Sequence, residues 1–254
     1  MKFVGLISGG KDSIFNLVKC VAHGHELVCL ANLHPDTQGE TDSFMYQTVG
    51  VEIAVSIASC LEVPLYRRAI QGSSLDQGLD YSTPSERDEV EDLYQLLAEV
   101  KSKHPGIEAV ASGAIFSHYQ RLRVENVCSR LGLVSLAYLW LRDQSELLNE
   151  MVEARMDARL AKVCSMGLKP VHLGKSIAEL QSLFERLKGQ FGFNVCGEGG
   201  EYETVVLDCP LFTRRKVRIV ENELVHHEDN DFAPVAYLRF KNLEVVDKTE
   251  EEML

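Results

Sequence analysis

The sequence predicts an α/β chain: a doubly wound parallel sheet over residues 1–140, then a smaller α+β domain over residues 141–254. Three observations predict it. Apolar runs of strand length alternate with amphipathic helix patterns as far as Trp140. A glycine-rich turn, Ser8-Gly9-Gly10-Lys11-Asp12-Ser13, joins the first strand to the first helix. After Trp140 the alternation gives way to two helices, one strand and a run of three β segments.

Lys2 to Ile7 is the first strand and Lys11 to Val21 the first helix. Glu26 to Leu33 is the second strand, stopped by Pro35, which cannot donate to a ladder. Ser43 to Leu61 reads as a helix, Leu65 to Ile70 as a short strand, and Gln71 to Ser85 as a loop rich in Gly, Ser and Asp. A third helix follows from Glu86 to Lys103, a strand from Ala109 to Ile115, a fourth helix from Ser117 to Leu131, and a strand from Leu133 to Leu139. Helical crossovers require a parallel sheet covered on both faces. In the second domain Ser145 to Ala154 and Ile177 to Phe191 read as helices. Arg159 to Ser165, Tyr202 to Leu207, Val217 to Val225 and Ala236 to Val246 read as strands of a separate antiparallel sheet. The acidic tail Asp247 to Leu254 is expected to fray.

Composition narrows the function. A hydrophobic content of 45% over 254 residues is ample for a core. A net charge of −12 argues against a protein that grips a nucleic-acid backbone. Seven cysteines without C-x-x-C spacing suit a reduced compartment rather than a disulfide framework or zinc site. No run is long enough to span a bilayer, so a cytoplasmic location is expected.

The turn at Ser8 to Ser13 carries the first chemical signal. Backbone N–H groups at a helix N-terminus attract anions, Gly9 and Gly10 let the backbone approach one closely, and Lys11 adds a compact positive charge. Ser8 and Ser13 supply hydroxyl donors. With Gly5 the segment nearly spells G-x-x-x-x-G-K-[ST], but Asp12 stands where that motif needs a hydroxyl on Mg²⁺. If the first and fourth strands adjoin at a topological switch point, Ser8 and Gly113 face one crevice. Gly113 would admit a nucleotide closely, and Asn32, ending the second strand, would line its adenine or ribose side.

The second signal is Gly197-Glu198-Gly199-Gly200-Glu201-Tyr202-Glu203-Thr204. Its carboxylates would repel a pyrophosphate. Glutamates and an aromatic face on a glycine-rich turn suit a cationic group, Mg²⁺ or proton transfer, or else a solvated hairpin. Weaker candidates are Arg121 and Arg123, either of which could meet a leaving pyrophosphate, and Asp42, Tyr46 and Gln47 near the strand ends. Gly174 and Lys175 precede a helix, and His226-His227-Glu228-Asp229 reads as a polar turn between strands.

SGGKDS resembles the S-G-G-x-D-S signature of the PP-loop ATP pyrophosphatases, whose domain is of the HUP-like nucleotide-binding class. Together with ANLHP, FMYQTVG, PLYRRAI, DEVEDLY, GAIFSHYQRLRVENVC, AYLW, CGEGGEYETVVLDCPLF and FAPVAYLRF, it makes nearly the whole chain resemble the diphthine–ammonia ligases. The resemblance implies that ATP is split to AMP and pyrophosphate while diphthine, a modified histidine on translation elongation factor 2, is amidated with ammonium. It implies ATP binding by Ser8, Gly9, Gly10, Lys11, Asp12, Ser13, Asn32 and Gly113, with Lys11 and Asp12 catalytic and Mg²⁺ on Asp12. Glu198, Gly199, Gly200, Glu201, Tyr202 and Glu203 are then expected to meet the trimethylammonium of diphthine. Some fungal and plant members carry further C-terminal domains, so this chain is expected to represent the minimal enzyme. The alternatives are a tRNA-modifying PP-loop enzyme, which should show a basic face, and a nucleotide-binding sensor without chemistry.

Overall fold

A computed structural model describes residues 1–35, 52–76, 78, 81, 85, 87–164, 166–228 and 235–253. Helices α1 (Lys11–Ala22), α2 (Ile53–Leu61), α3 (Glu89–Lys103), α4 (His118–Leu131), α5 (Gln144–Glu153) and α6 (Ile177–Phe191) run along the chain. The described residues fall into two compact units. One comprises those of Met1–Ser8, Asp12–Val51 and Glu62–Trp140, the other those of Gly9–Lys11, Glu52–Leu61 and Leu141–Leu254.

In the first unit β1 (Lys2–Leu6), β2 (Glu26–His34), β3 (Leu65–Ala69), β4 (Ala109–Ala111) and β5 (Val134–Leu136) form one parallel sheet, ordered β3-β2-β1-β4-β5. The order reverses between β1 and β4, so the expected switch point is present. Val4 lies in one buried cluster with Leu93 and Leu97 of α3 and Val127 of α4. Its neighbour Gly5 points to the other face, where an added Cβ would stand 2.6 Å from the Leu17 side chain of α1. Helices therefore cover both faces. Gly5 is a packing glycine that lets α1 lie close to the sheet.

Two strands are shorter than the periodicity predicts. β4 stops at Ala111 because the chain leaves the sheet at Gly113 to pass over Asp12 and Ser13. β5 stops at Leu136 because the buried side chain of Asn16 takes over the ladder, donating to the Leu136 carbonyl at 2.8 Å and accepting from the Tyr138 N–H at 2.9 Å. The third helix starts at Glu89, three residues later than expected, since Asp88 caps it by accepting from the Val90 N–H at 3.0 Å.

The second unit holds an antiparallel sheet of β6 (Asp157–Cys164), β7 (Tyr202–Asp208), β8 (Arg215–Glu228) and β9 (Val235–Asp247), ordered β7-β6-β9-β8. Alternation from the first domain extends the helix pattern across residues 43–61. Residues 43–51, with Asp42, lie outside the described residues, and the remainder, α2, belongs to this second unit. Ile53, Ala54, Ile57 and Cys60 are buried, and the helix packs on β7, β8 and β9. β8 and β9 outrun their expected ends because the antiparallel ladder continues past the apolar residues, pairing Arg215 with Asp247 at one end and Glu228 with Val235 at the other. His226 and His227 consequently lie in strand β8 rather than in a turn, and Asp229 is outside the described residues. The tail also departs from expectation: Glu250–Met253 forms a 3-10 turn, with Lys216 bonded to Glu252.

Candidate functional site

Within the second unit the structure joins the two sequence signals. Gly9 turns the chain with φ of 96°, a left-handed conformation that a side chain would oppose, and its carbonyl accepts from the Val206 N–H of β7 at 2.9 Å. The Lys11 N–H donates to Oγ1 of Thr204 at 3.0 Å. Lys11 is only 2% exposed. Its ammonium donates to the Cys196 carbonyl and sits 4.9 Å above the centre of the Tyr202 ring. Gly10 is buried between these anchors.

The glutamate-rich turn is built around Glu201, which is 4% exposed. Its Oε1 accepts from the N–H and the side-chain amide of Asn194 at 3.0 and 2.7 Å, and its Oε2 accepts from the Gly199 N–H at 2.8 Å. Gly197 and Gly200 adopt φ of 78° and 80°, and the Gly200 N–H closes the turn on the Gly197 carbonyl at 3.0 Å. The Tyr202 ring stacks on Phe184 at 4.9 Å and its hydroxyl donates to the Val195 carbonyl at 2.6 Å. Sequence reasoning assigns Glu201 and Tyr202 to an external cation. In the folded chain Glu201 braces the turn, and the cation over Tyr202 is the protein's own Lys11. Glu203 faces Lys162 at 3.5 Å. Glu198 is half-buried, and Gly199 and Gly200 are exposed at the tip.

The remaining candidates lie in the first unit. Ser8 and Ser13 approach each other, with Ser13 Oγ accepting from the Ser8 N–H at 3.3 Å. Gly113 passes so near α1 that a Cβ would stand 2.5 Å from the Ser13 nitrogen and 2.6 Å from the Asp12 carbonyl carbon. The close approach observed there is to the backbone of Asp12 and Ser13. Asn32 is 1% exposed, donates to the Ile7 carbonyl at 2.9 Å and accepts from Arg67 at 3.0 Å. It ties strand ends together.

Neither of the two candidate arginines in α4, Arg121 and Arg123, is held ready for an anion. Arg123 is fully buried, donating to the carbonyls of Asp76 and Gly78 and lying over the Tyr119 ring. Arg121 pairs with Glu125 at 2.6 Å and stacks on Trp140. Tyr46 and Gln47 are outside the described residues. Gly174 and Lys175 hydrogen-bond through their backbones to Leu160 of β6.

All seven cysteines are free thiols. Burial pushes Cys20, Cys29, Cys128 and Cys209 up to about 12 and Cys60 up to about 11, far from the thiolate range a nucleophile needs. Among the described residues no group of three His, Cys, Asp or Glu side chains is placed to hold a metal, and no helix is long and apolar enough to cross a membrane.

Three partners escape sequence reasoning. Cys196 contributes a carbonyl, which no side-chain pattern encodes. Gln144 and Asn194 are separated by 50 residues and meet only in the fold, the Gln144 amide donating to Asn194 Oδ1 at 3.1 Å. Thr204 was visible inside the GEGGEYET stretch, where its hydroxyl was the available signal.

Comparison with known proteins matches both halves of the chain. A relative from Danio rerio named diphthine–ammonia ligase is 53% identical, with all of both chains covered. A Homo sapiens relative of the same name is 50% identical over 98% of this chain and 94% of its own. One from Schizosaccharomyces pombe is 54% identical over 95% of this chain, which spans 39% of that longer protein. A solved chain described as a predicted subunit of tRNA methyltransferase from Methanocaldococcus jannaschii covers 83% of this chain at 15% identity and a TM-score of 0.40, too distant to bear on function. Since the family models for the diphthamide synthase N-terminal domain and C-terminal domain match residues 1–135 and 143–239, this chain belongs to the diphthamide synthase family.

Proposed function

We propose that this chain is a diphthine–ammonia ligase that amidates diphthine on translation elongation factor 2 in the cytoplasm, using ATP and ammonium. The observation that carries the reading is the double attachment of Lys11 to the second signal, through Thr204 and the Cys196 carbonyl. One lysine of the phosphate-binding signature is thereby fixed beside the turn assigned to the second substrate.

A carboxylate is a poor electrophile for ammonia. Attack by a diphthine carboxylate oxygen on the α-phosphorus of ATP breaks the α–β bridge, releasing pyrophosphate and leaving an acyl-adenylate. Ammonia then attacks the acyl carbon, AMP leaves with the bonding pair, and one proton is released to solvent. The Lys11 ammonium and the α1 N-terminus stabilise charge developing on the departing pyrophosphate, with the Ser8 and Ser13 hydroxyls as further donors. Asp12 supplies one hard carboxylate at this helix start, which suits Mg²⁺ arriving on the nucleotide, since that ion favours one or two carboxylates plus phosphate oxygens. Bound there, Mg²⁺ would neutralise phosphate charge. Gly113 and Asn32 set the backbone around this signature.

The trimethylammonium of diphthine needs a negative, accessible surface. Glu198 at the tip of the turn, beside Gly199 and Gly200, is its proposed partner, with Glu201 and Tyr202 shaping the turn and Glu203 adding negative charge nearby. The reading is tested by AMP release from α-labelled ATP in the presence of ammonium, Mg²⁺ and elongation factor 2 carrying diphthine or unmodified histidine. AMP formed only with diphthine and ammonium, one amide per AMP, is the expected result. AMP formation indifferent to diphthine, or none from folded protein, overturns it.

A further inference from the structure

Beside the glutamate-rich turn, three side chains form a relay whose polarity is forced. The Cys196 N–H donates to Gln144 Oε1 at 3.0 Å, so the Gln144 amide nitrogen must face Asn194, donating to Oδ1 at 3.1 Å. The Asn194 amide nitrogen in turn donates to the Glu201 carboxylate at 2.7 Å. Each donor meets an acceptor. Neither amide can flip without setting like groups against each other, because an ionised carboxylate only accepts and a peptide N–H only donates. Gln144 is gripped from its backbone as well, its carbonyl lying 3.3 Å from the Cys196 thiol. The residue thus held on two sides is the one whose carbonyl receives the Lys11 ammonium.

We propose that Gln144 is a positioning residue for Lys11: it anchors the Cys196 peptide, through a relay ending on Glu201, so that the lysine charge is aimed for the AMP-forming step. The inference rests on the ligase reading above. Gln144 touches no reacting atom, and its effect passes through the Cys196 carbonyl.

The isosteric variant Gln144→Glu isolates this role. Its carboxylate still accepts from Cys196 but sets an oxygen against Asn194 Oδ1, whereas the protonated form donates there and rebuilds the relay. Partial burial and the nearby Glu201 carboxylate favour the protonated form of the new carboxyl, against the Lys11 ammonium on the Cys196 carbonyl and the Lys188 ammonium on Ser145, and acid restores the donor. Displacing Lys11 should lower single-turnover AMP formation by roughly 10- to 100-fold near pH 8. The variant-to-wild-type ratio should recover by about fivefold or more towards pH 6 as the carboxyl protonates. In a Lys11→Met background the same change should cost less than about twofold, since residues acting through one partner are not additive. Asn194→Asp interrupts the same relay and should show the same acid recovery, which serves if Gln144→Glu does not fold. Full activity of Lys11→Met would overturn the ligase role of Lys11. An impaired Lys11→Met beside a normal Gln144→Glu, or one equally impaired at every pH, would overturn the relay and leave the ligase reading standing.

Discussion

The main-chain N–H of Lys11 donates to the hydroxyl of Thr204 at 3.0 Å, joining positions 193 residues apart in sequence. Lys11 belongs to the first strand-to-helix turn and Thr204 to β7, yet both lie in the second unit. The attachment uses the first N–H of α1, one of the groups that a helix leaves without an intrahelical partner. Lys11 is held by backbone as well as by side chain, which makes its position a property of the fold rather than of a mobile ammonium.

Removing that charge should separate chemistry from folding. Lys11→Met keeps most of the side-chain volume, and its N–H can still reach Thr204. AMP formation is expected to fall by about 10²- to 10³-fold, the usual effect of deleting one stabiliser of developing negative charge. Urea unfolding should move by less than about 1 kcal/mol, because the desolvation cost of the buried ammonium disappears along with its bonds. A large stability loss matching the activity loss would make Lys11 a structural residue.

Gly113 admits no side chain without backbone movement, since its Cβ would fall 2.5 Å from the Ser13 nitrogen. Gly113→Ala should destabilise by about 1–3 kcal/mol, the range for overpacking a filled site. Because the residues pushed are Asp12 and Ser13, the KM for ATP should also rise, measured by AMP release at saturating diphthine. An unchanged KM would confine Gly113 to packing.

For Tyr202 the hydroxyl and the ring make separable contributions. Tyr202→Phe loses the 2.6 Å bond to the Val195 carbonyl but keeps the stack on Phe184, and should cost about 1–3 kcal/mol for a buried acceptor left unsatisfied. Tyr202→Ala empties the aromatic site and should cost about 3–5 kcal/mol. Both are read from denaturant midpoints at constant slope. If the ring instead served only an external cation, Tyr202→Ala would raise the KM for the diphthine protein at unchanged stability.

Alkaline pH should unfold this protein through its thiols. Burial raises Cys20, Cys29, Cys128 and Cys209 to about 12 and Cys60 to about 11, whereas an unfolded cysteine ionises near 8.5. The unfolded chain therefore releases these protons first. Their contribution is fully present below about pH 8.5 and is lost as pH rises from there towards 11 to 12, at up to about 1.4 kcal/mol per unit for each thiol. Urea midpoints at pH 7.5, 8.5 and 9.5 should fall increasingly steeply, and Cys128→Ala should flatten the decline. A flat profile would contradict the burial of these groups.

The doubly wound sheet was legible because its signals are local. Apolar strand runs, helix periodicity and a glycine turn each lie within a few neighbouring residues, whereas of the order β3-β2-β1-β4-β5 only the adjacency of the first and fourth strands was raised by the sequence, as the condition for a switch point. Both chemical stretches were legible for the same reason: SGGKDS and GEGGEYET concentrate unusual residues in short spans. The end of β5 was not, because Asn16 reaches it from 120 residues away.

What only the tertiary structure decided is how those stretches are used. Glu201 and Tyr202 carry the charge and the ring that suit an external cation, and nothing in their spacing reveals that Asn194, Gly199 and Phe184 have already claimed them. The assignment of α2 and Gly9–Lys11 to the second unit likewise depends on which apolar face finds a matching surface, and on which buried N–H finds an acceptor. Residue chemistry is written along the chain, but its satisfaction in hydrogen bonds and packing is a property of distances between distant residues, and those exist only after folding.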